Sequence, residues 1–203
     1  MLYLIGLGLN VDGISKYGTE IVKRCKRVYL ESYTVDFPYS IGELSQVLDK
    51  KILPADRKFV EGLSIVDEAK RLDVALLIYG SPLAATTHIA LIQEARRLGI
   101  KVKSIHNASV LDAAAETGLQ LYKFGKISSM PTWQENYTPD SFMKSVQENL
   151  SIDAHSLILI DPGLEFPDAL IQLEKAAENY KMTLKKILVC QNLGTKHQKI
   201  FYR

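Results

Sequence analysis

Val74-Ala-Leu-Leu-Ile-Tyr79 is an apolar run that stops abruptly at Gly80-Ser-Pro-Leu-Ala-Ala-Thr-Thr-His88. A strand that is apolar at every position, rather than at alternate ones, has to be covered on both faces, which is the situation of a central strand in a parallel sheet. Gly80 tolerates backbone angles closed to other residues and Pro82 fixes its own, so the strand ends there. A helical pattern, Ala85–Leu98, follows and closes on Gly99, a suitable C′ residue. Strand, turn and helix in that order make a βα unit, and in open α/β sheets ligands bind outside the carboxyl ends of strands. The turn 80–88 is therefore a candidate binding segment, with Thr86 and Thr87 available to cap the helix or to meet a ligand.

The rest of the first half repeats this alternation. Strands are expected at Leu2–Leu9, Val28–Glu31, Lys51–Leu53 and Lys101–Ile105, and helices at Ile14–Cys25, Ser40–Leu48 and Val60–Leu72. Ser40 with Glu43 three residues on is a capping box. Such a succession predicts a doubly wound parallel α/β domain over residues 1–107. Residues 108–203 differ in texture and predict a second α/β domain with a mixed sheet, so the fold class is α/β in two domains with a ligand cleft between them. In that half, a small-residue helix Ala108–Glu116 is closed by Gly118. Lys123–Met130 and Lys186–Cys190 are expected strands, Leu157–Asp161 a buried one, and Ser141–Leu150 and Phe166–Tyr180 helices. The loop Trp133–Pro139 is aromatic, and its rings together with Phe142 either meet a partner or close the core of the second domain. Lys199–Tyr202 is an expected edge strand, whose open side predicts cover by a second subunit.

Several function classes fall away on composition. The chain of 203 residues is 47% hydrophobic and 24% charged with a net charge of +2, without a basic stripe for nucleic acid. No apolar stretch approaches the ~20 residues needed to cross a bilayer. Met1-Leu-Tyr-Leu-Ile-Gly6 lacks the basic leader and apolar core of a signal peptide, so a cytoplasmic location is expected. Cys25 and Cys190 form no CxxC pair and are expected to be reduced and structural, and the four histidines have no metal-ligand spacing. The Lys23–Arg27 basic cluster falls at the end of an expected helix, where cations complement the helix dipole. Gly6-Leu-Gly-Leu-Asn10 lacks the third glycine of a dinucleotide fingerprint, and a Walker loop and a Gly-x-Ser-x-Gly elbow are both absent.

Seven blocks, in order, carry a resemblance. They are Leu2-Tyr-Leu-Ile-Gly-Leu-Gly-Leu9, Tyr29-Leu-Glu-Ser-Tyr-Thr34, Gly80–His88, Ile105-His-Asn-Ala-Ser-Val110, Thr117–Lys126, Glu135–Phe142 and His155–Asp161. In these the chain resembles the diphthine synthases, within the tetrapyrrole-methylase-like class III methyltransferases. The resemblance implies two α/β domains holding S-adenosylmethionine, the product being S-adenosylhomocysteine. It also implies a homodimer and, as partner and substrate, the modified histidine of translation elongation factor 2, methylated on its amino group. Carried over residue by residue, it implies cofactor contacts at Leu9, Ser81, Ala84, Ser109, Val110, Ile160 and Leu193, and it assigns no catalytic side chain and no metal. Five of these have a plainer alternative: Leu9, Ile160 and Leu193 as core, Ala84 as packing, Ser109 as a helix cap. The chain departs from the family pattern at Ser81, where an acid is usual, and at Cys190-Gln-Asn-Leu-Gly-Thr195.

Overall fold

The computed structural model describes residues 1–202, which form two compact units. The first comprises Met1–Ala113 with Asn192–Gln198, and the second Ala114–Gln191 with the chain from Lys199 on. The division falls after Ala113 rather than after Asn107 because Ala108 and Ser109 pack on Gly80: a Cβ placed there would lie 3.4 Å from Ser109 Cα.

In the first unit five parallel strands are ordered β3-β2-β4-β1-β5, namely β1 (Leu2–Gly6), β2 (Arg27–Glu31), β3 (Leu53–Ala55), β4 (Val74–Ile78) and β5 (Val102–Ile105). The central position of β4 follows from its sequence: all five residues are at most 1% exposed. Val74, Leu76 and Ile78 enter one core with Leu2, Leu4, Ile65 and Leu91. Ala75 and Leu77 enter the other with Ile5, Leu7, Ile21 and Leu44. Alternate residues thus feed opposite faces, each covered by helices.

The helices are α1 (Lys16–Arg24), α2 (Ile41–Leu48), α3 (Arg57–Glu61), α4 (Ser64–Ala69) and α5 (Ile89–Arg97), with a short α6 (Val110–Ala113). The capping box of α2 forms as expected, Ser40 Oγ accepting from Glu43 N at 3.1 Å and Glu43 Oε2 from Ser40 N at 2.7 Å. Gly99, at φ +70, ends α5 as read. The single helix expected over Val60–Leu72 is instead two. Asp56 caps α3 early by accepting from Phe59 N at 2.7 Å, and Leu63 adopts φ +65, which interrupts the ladder. Of the Lys23–Arg27 cluster, Lys23 and Arg24 supply the basic last turn of α1, whereas Arg27 opens β2.

The second unit holds β6 (Ser128–Met130) parallel to β7 (Ile158–Ile160), and helices α7 (Phe142–Ser151) and α8 (Phe166–Asn179). Its core is Met130, Phe142, Met143, Val146, Leu173 and Ala176 with Trp133 packed against it. Phe142 and Trp133 therefore close this core, the Trp133 Nε1–H donating to Pro139 O at 2.9 Å, whereas Tyr137 is 60% exposed. The expected single mixed sheet is not present among the described residues. β6 and β7 pair only with each other, and β8 (Leu188–Gln191) and β9 (Lys199–Tyr202) form a separate antiparallel hairpin. With one neighbour instead of two, β7 is not buried as read, and Ile160 at its end is 45% exposed.

Candidate functional site

The carboxyl end of the sheet is built from glycines because two backbones cross there. Beyond β1 the chain turns onto the end of β4: Leu7 N donates to Ile78 O at 2.9 Å, Gly8 N to Gly80 O at 3.1 Å and Gly80 N to Gly8 O at 2.9 Å. Gly8 and Gly80 both stand at φ +70, a conformation that favours glycine. The end of β5 is tied to this crossing by Asn107. Its Nδ2 donates to Gly6 O at 3.1 Å and Gly13 O at 2.9 Å, and its Oδ1 accepts from Ala108 N at 2.9 Å. Ser109, buried behind it, donates from Oγ to Asp112 Oδ2 at 3.1 Å while the same oxygen takes Ser109 N at 2.7 Å. Its hydroxyl and its N–H are thus both held by the Asp112 carboxylate, and Val110 stands half-buried beside it.

The turn 80–88 is wound about one carbonyl. Pro82 O accepts from Thr86 Oγ1 at 2.8 Å and faces His88 Nδ1 at 3.3 Å, and Ala84 N donates to Ser81 O at 3.1 Å. Ser81 Oγ lies 3.4 Å from His106 Nδ1, and Ser81 and Ala84 are half-buried. The helix begins later than Ala85, which adopts φ +56, and α5 starts at Ile89 with His88 at its N-cap. Neither threonine caps it: Thr86 serves Pro82, and Thr87 Oγ1 is directed to Glu61 Oε1 at 3.4 Å.

The hairpin tip belongs to this same unit. Leu193 is buried, and Gly194 sits so closely on Leu9 that an added Cβ would overlap the Leu9 side chain. Asn10 Nδ2 donates to Gly194 O at 2.9 Å, Gln198 Oε1 accepts from Gly194 N at 2.6 Å, and Tyr79 OH donates to Leu9 O at 3.1 Å. Leu9, Ser81, Ala84, Ser109, Val110 and Leu193 thus all fall within the first unit, at the ends of β1, β4 and β5 and on the hairpin tip. Ile160 belongs to the second unit. Asn10, Tyr79 and His106 were not singled out from the sequence, although each lies within or beside a strand-end turn.

Two groups next to these turns carry shifted ionisation. Burial holds the His88 imidazole below the ordinary histidine range, opposed by the negative charges of Glu31 and Glu61 and by the Pro82 carbonyl. His88 is 1% exposed and lines a hollow of about 260 Å³ with Val60, Glu61, Leu63, Thr87, Ala90 and Leu91. Because the folded pKa lies below the unfolded value, the unfolded chain takes up a proton that the folded chain refuses. Stability is therefore unaffected above the unfolded pKa of ~6.5 and falls as pH drops below it, levelling at the folded pKa. The slope reaches at most about 1.4 kcal/mol per pH unit, and His88→Asn is expected to remove it from urea-denaturation profiles. A profile with the same slope in both proteins would contradict this. Burial also pushes the Cys25 thiol up to about 11, consistent with a reduced core cysteine, whereas Cys190 is exposed rather than structural.

Among the described residues no group of His, Cys, Asp or Glu side chains is arranged to hold a metal, and no helix is long and apolar enough to cross a membrane.

The tetrapyrrole (corrin/porphyrin) methylase profile matches residues 1–203. The chain is 44% identical over 164 residues to the diphthine methyl ester synthase of Schizosaccharomyces pombe, covering 79% of this chain and 58% of that protein. It is 46% identical over 165 residues to the Saccharomyces cerevisiae protein of the same name, covering 79% and 55%. The chain thus spans somewhat over half the length of these curated relatives. A crystal structure of diphthine synthase superposes with a TM-score of 0.88 at 31% identity, over 99% of this chain and 80% of that one. The parallel order β3-β2-β4-β1-β5 and the crossing at Gly8 and Gly80 lie within a match that extends over the whole sequence, and the chain belongs to the tetrapyrrole methylase family, alongside its diphthine synthases.

Proposed function

We propose that this chain is a methyltransferase of the diphthine synthase type, drawing its methyl group from S-adenosylmethionine. The observation that carries the reading is the gathering, in one compact unit, of every carried-over contact except Ile160. The residues suit such a ligand. Ser81 offers a hydroxyl, Ala84 and Val110 are small and half-buried, and the glycines at 8 and 80 keep the strand ends free of side chains. When bound, S-adenosylmethionine supplies a methyl group already activated on a sulfonium, so the cofactor carries the hard chemistry. What remains for the chain is to hold a neutral acceptor in line with that methyl, a contribution from positioning. That accords with a site of hydroxyls, carbonyls and small residues.

The acceptor in this reading is the modified histidine of translation elongation factor 2, methylated on its amino nitrogen by a cytoplasmic homodimer. A second acceptor has its own support: the curated relatives bear the name methyl ester synthase, which points to a carboxylate oxygen on the same side chain. Incubating the protein with elongation factor carrying the unmethylated precursor and S-adenosylmethionine, followed by mass spectrometry, tests both. Methyl additions that survive mild alkali are expected on nitrogen, and an alkali-labile one marks the ester. Unchanged elongation factor, with a relative of this family active in parallel, would overturn the enzymatic reading.

A further inference from the structure

We infer that His88 is a positioning residue for the methyl-donor site: its Nδ1–H and the Thr86 hydroxyl together wind turn 80–88 about the Pro82 carbonyl and so set where Ser81 and Ala84 stand. The inference rests on the reading of Ser81 and Ala84 as cofactor contacts.

Four observations support it. First, the Pro82 carbonyl can only accept, so the 3.3 Å contact from His88 Nδ1 requires the proton to be on that nitrogen. The Thr86 hydroxyl donates to the same oxygen at 2.8 Å, so two donors converge on one acceptor. Second, the turn contains a non-glycine residue in the left-handed region, Ala85 at φ +56, a costly conformation that persists only where neighbouring contacts hold it. Third, Pro82 is fixed on its other side. It packs on the end of β1, where a Cβ on Gly6 would lie 3.0 Å from Pro82 Cδ. The carbonyl is therefore a fixed post, and the segments on either side of it, Ser81 and Ala84–Thr86, are placed by how the chain wraps it.

Fourth, a ring used only to fill space is an uneconomical choice at this point. His88 is 1% exposed, and its Nε2 has no hydrogen-bond partner, so the imidazole is buried at the cost of one unmet polar atom. A leucine would fill the same volume without that cost. What leucine lacks is the Nδ1–H.

The test is the affinity of the full chain for S-adenosylhomocysteine, measured by calorimetry beside the melting temperature, for wild type, His88→Leu, His88→Asn and Thr86→Val. Asparagine carries an N–H close to the position of Nδ1 but leaves a cavity; leucine fills the cavity but has no donor. A positioning role predicts that His88→Asn binds within about threefold of wild type while His88→Leu binds about tenfold more weakly, one neutral hydrogen bond. The melting temperatures should rank the other way, with His88→Asn the lower of the two. Thr86→Val, near in shape to threonine and outside the core, should weaken binding about threefold with little change in melting, and it serves if His88→Leu does not fold. Affinities that follow the melting temperatures, with His88→Asn the weakest binder, would show His88 to be core packing alone. A wild-type chain that does not bind S-adenosylhomocysteine would remove the cofactor reading beneath the inference and this inference with it.

Discussion

Gly6→Ala is expected to destabilise the first unit by about 3 kcal/mol and, on the proposed function, to abolish binding of S-adenosylhomocysteine. The added Cβ would stand 2.6 Å from Gly80 O, 3.0 Å from Asn107 Cβ and 3.0 Å from Pro82 Cδ. These atoms belong to two segments, the turn 80–88 and the chain leaving β5, and none is the free end of a flexible side chain. Gly80 O is fixed by the Gly8 N–H at 3.1 Å, and Asn107 is held through its amide to Gly6 O and Gly13 O. Relief therefore requires β1 to move from β4 or the turn 80–88 to shift outward. The first breaks the ladder of a fully buried strand, and the second displaces Ser81 and Ala84. Urea denaturation followed by amide exchange in β1 and β4 measures the loss. A change below about 1 kcal/mol would mean that the crossing of the two strand ends is looser than its geometry indicates.

Asn149→Leu is expected to cost the second unit about 3 kcal/mol. Asn149 is 1% exposed on α7 and serves as a hydrogen-bonding clamp for the chain entering β6. Its Oδ1 accepts from Lys126 N at 2.8 Å, and its Nδ2 donates to Lys126 O at 2.9 Å and to Ser156 Oγ at 3.0 Å. Leucine matches the volume and removes all three partners, so the loss reports unpaired backbone groups rather than a cavity. Gly125 has no side chain for the same reason, since a Cβ there would collide with the Asn149 amide. Asn149→Asp keeps the acceptor for Lys126 N and loses the donor, and its effect should fall between wild type and leucine. Hydrogen exchange at β6 and α7 separates this loss from changes in the first unit, and equal protection in wild type and Asn149→Leu would contradict the clamp.

The features legible in the sequence were those set by local chemistry. The capping box of Ser40 and Glu43, the left-handed Gly99 and the all-apolar Val74–Ile78 each depend on residues within a few positions of one another. What was misread depended on competition or on distance. The helix expected from Val60 starts at Arg57 because Asp56 is a better cap, and it breaks at Leu63, whose positive φ no propensity announces. Leu157–Asp161 has the composition of a strand covered on both sides, but with a single neighbour β7 leaves Ile160 nearly half exposed.

At the candidate site, the resemblance named residues and the geometry now distinguishes their surroundings. Leu9 and Leu193 are buried apolar residues, and the Ser109 hydroxyl donates to Asp112 rather than accepting a backbone N–H as a helix cap would. Those placements still bring them to the strand ends that Ser81, Ala84 and Val110 occupy. The seating of Gly194 on Leu9, beside the hydrogen bond from Asn10 Nδ2 to Gly194 O across 184 residues, has no local signature. Only the absence of a side chain at Gly194 hints at it.

Amide chemical-shift mapping of the full chain titrated with S-adenosylhomocysteine tests the central claim most directly. The account predicts saturable shifts concentrated at Leu9, Ser81, Ala84, Ser109, Val110 and Leu193, with Asn107 and the turn 80–88 following. A spectrum unchanged at millimolar ligand, or shifts confined to residues away from the ends of β1, β4 and β5, would contradict it.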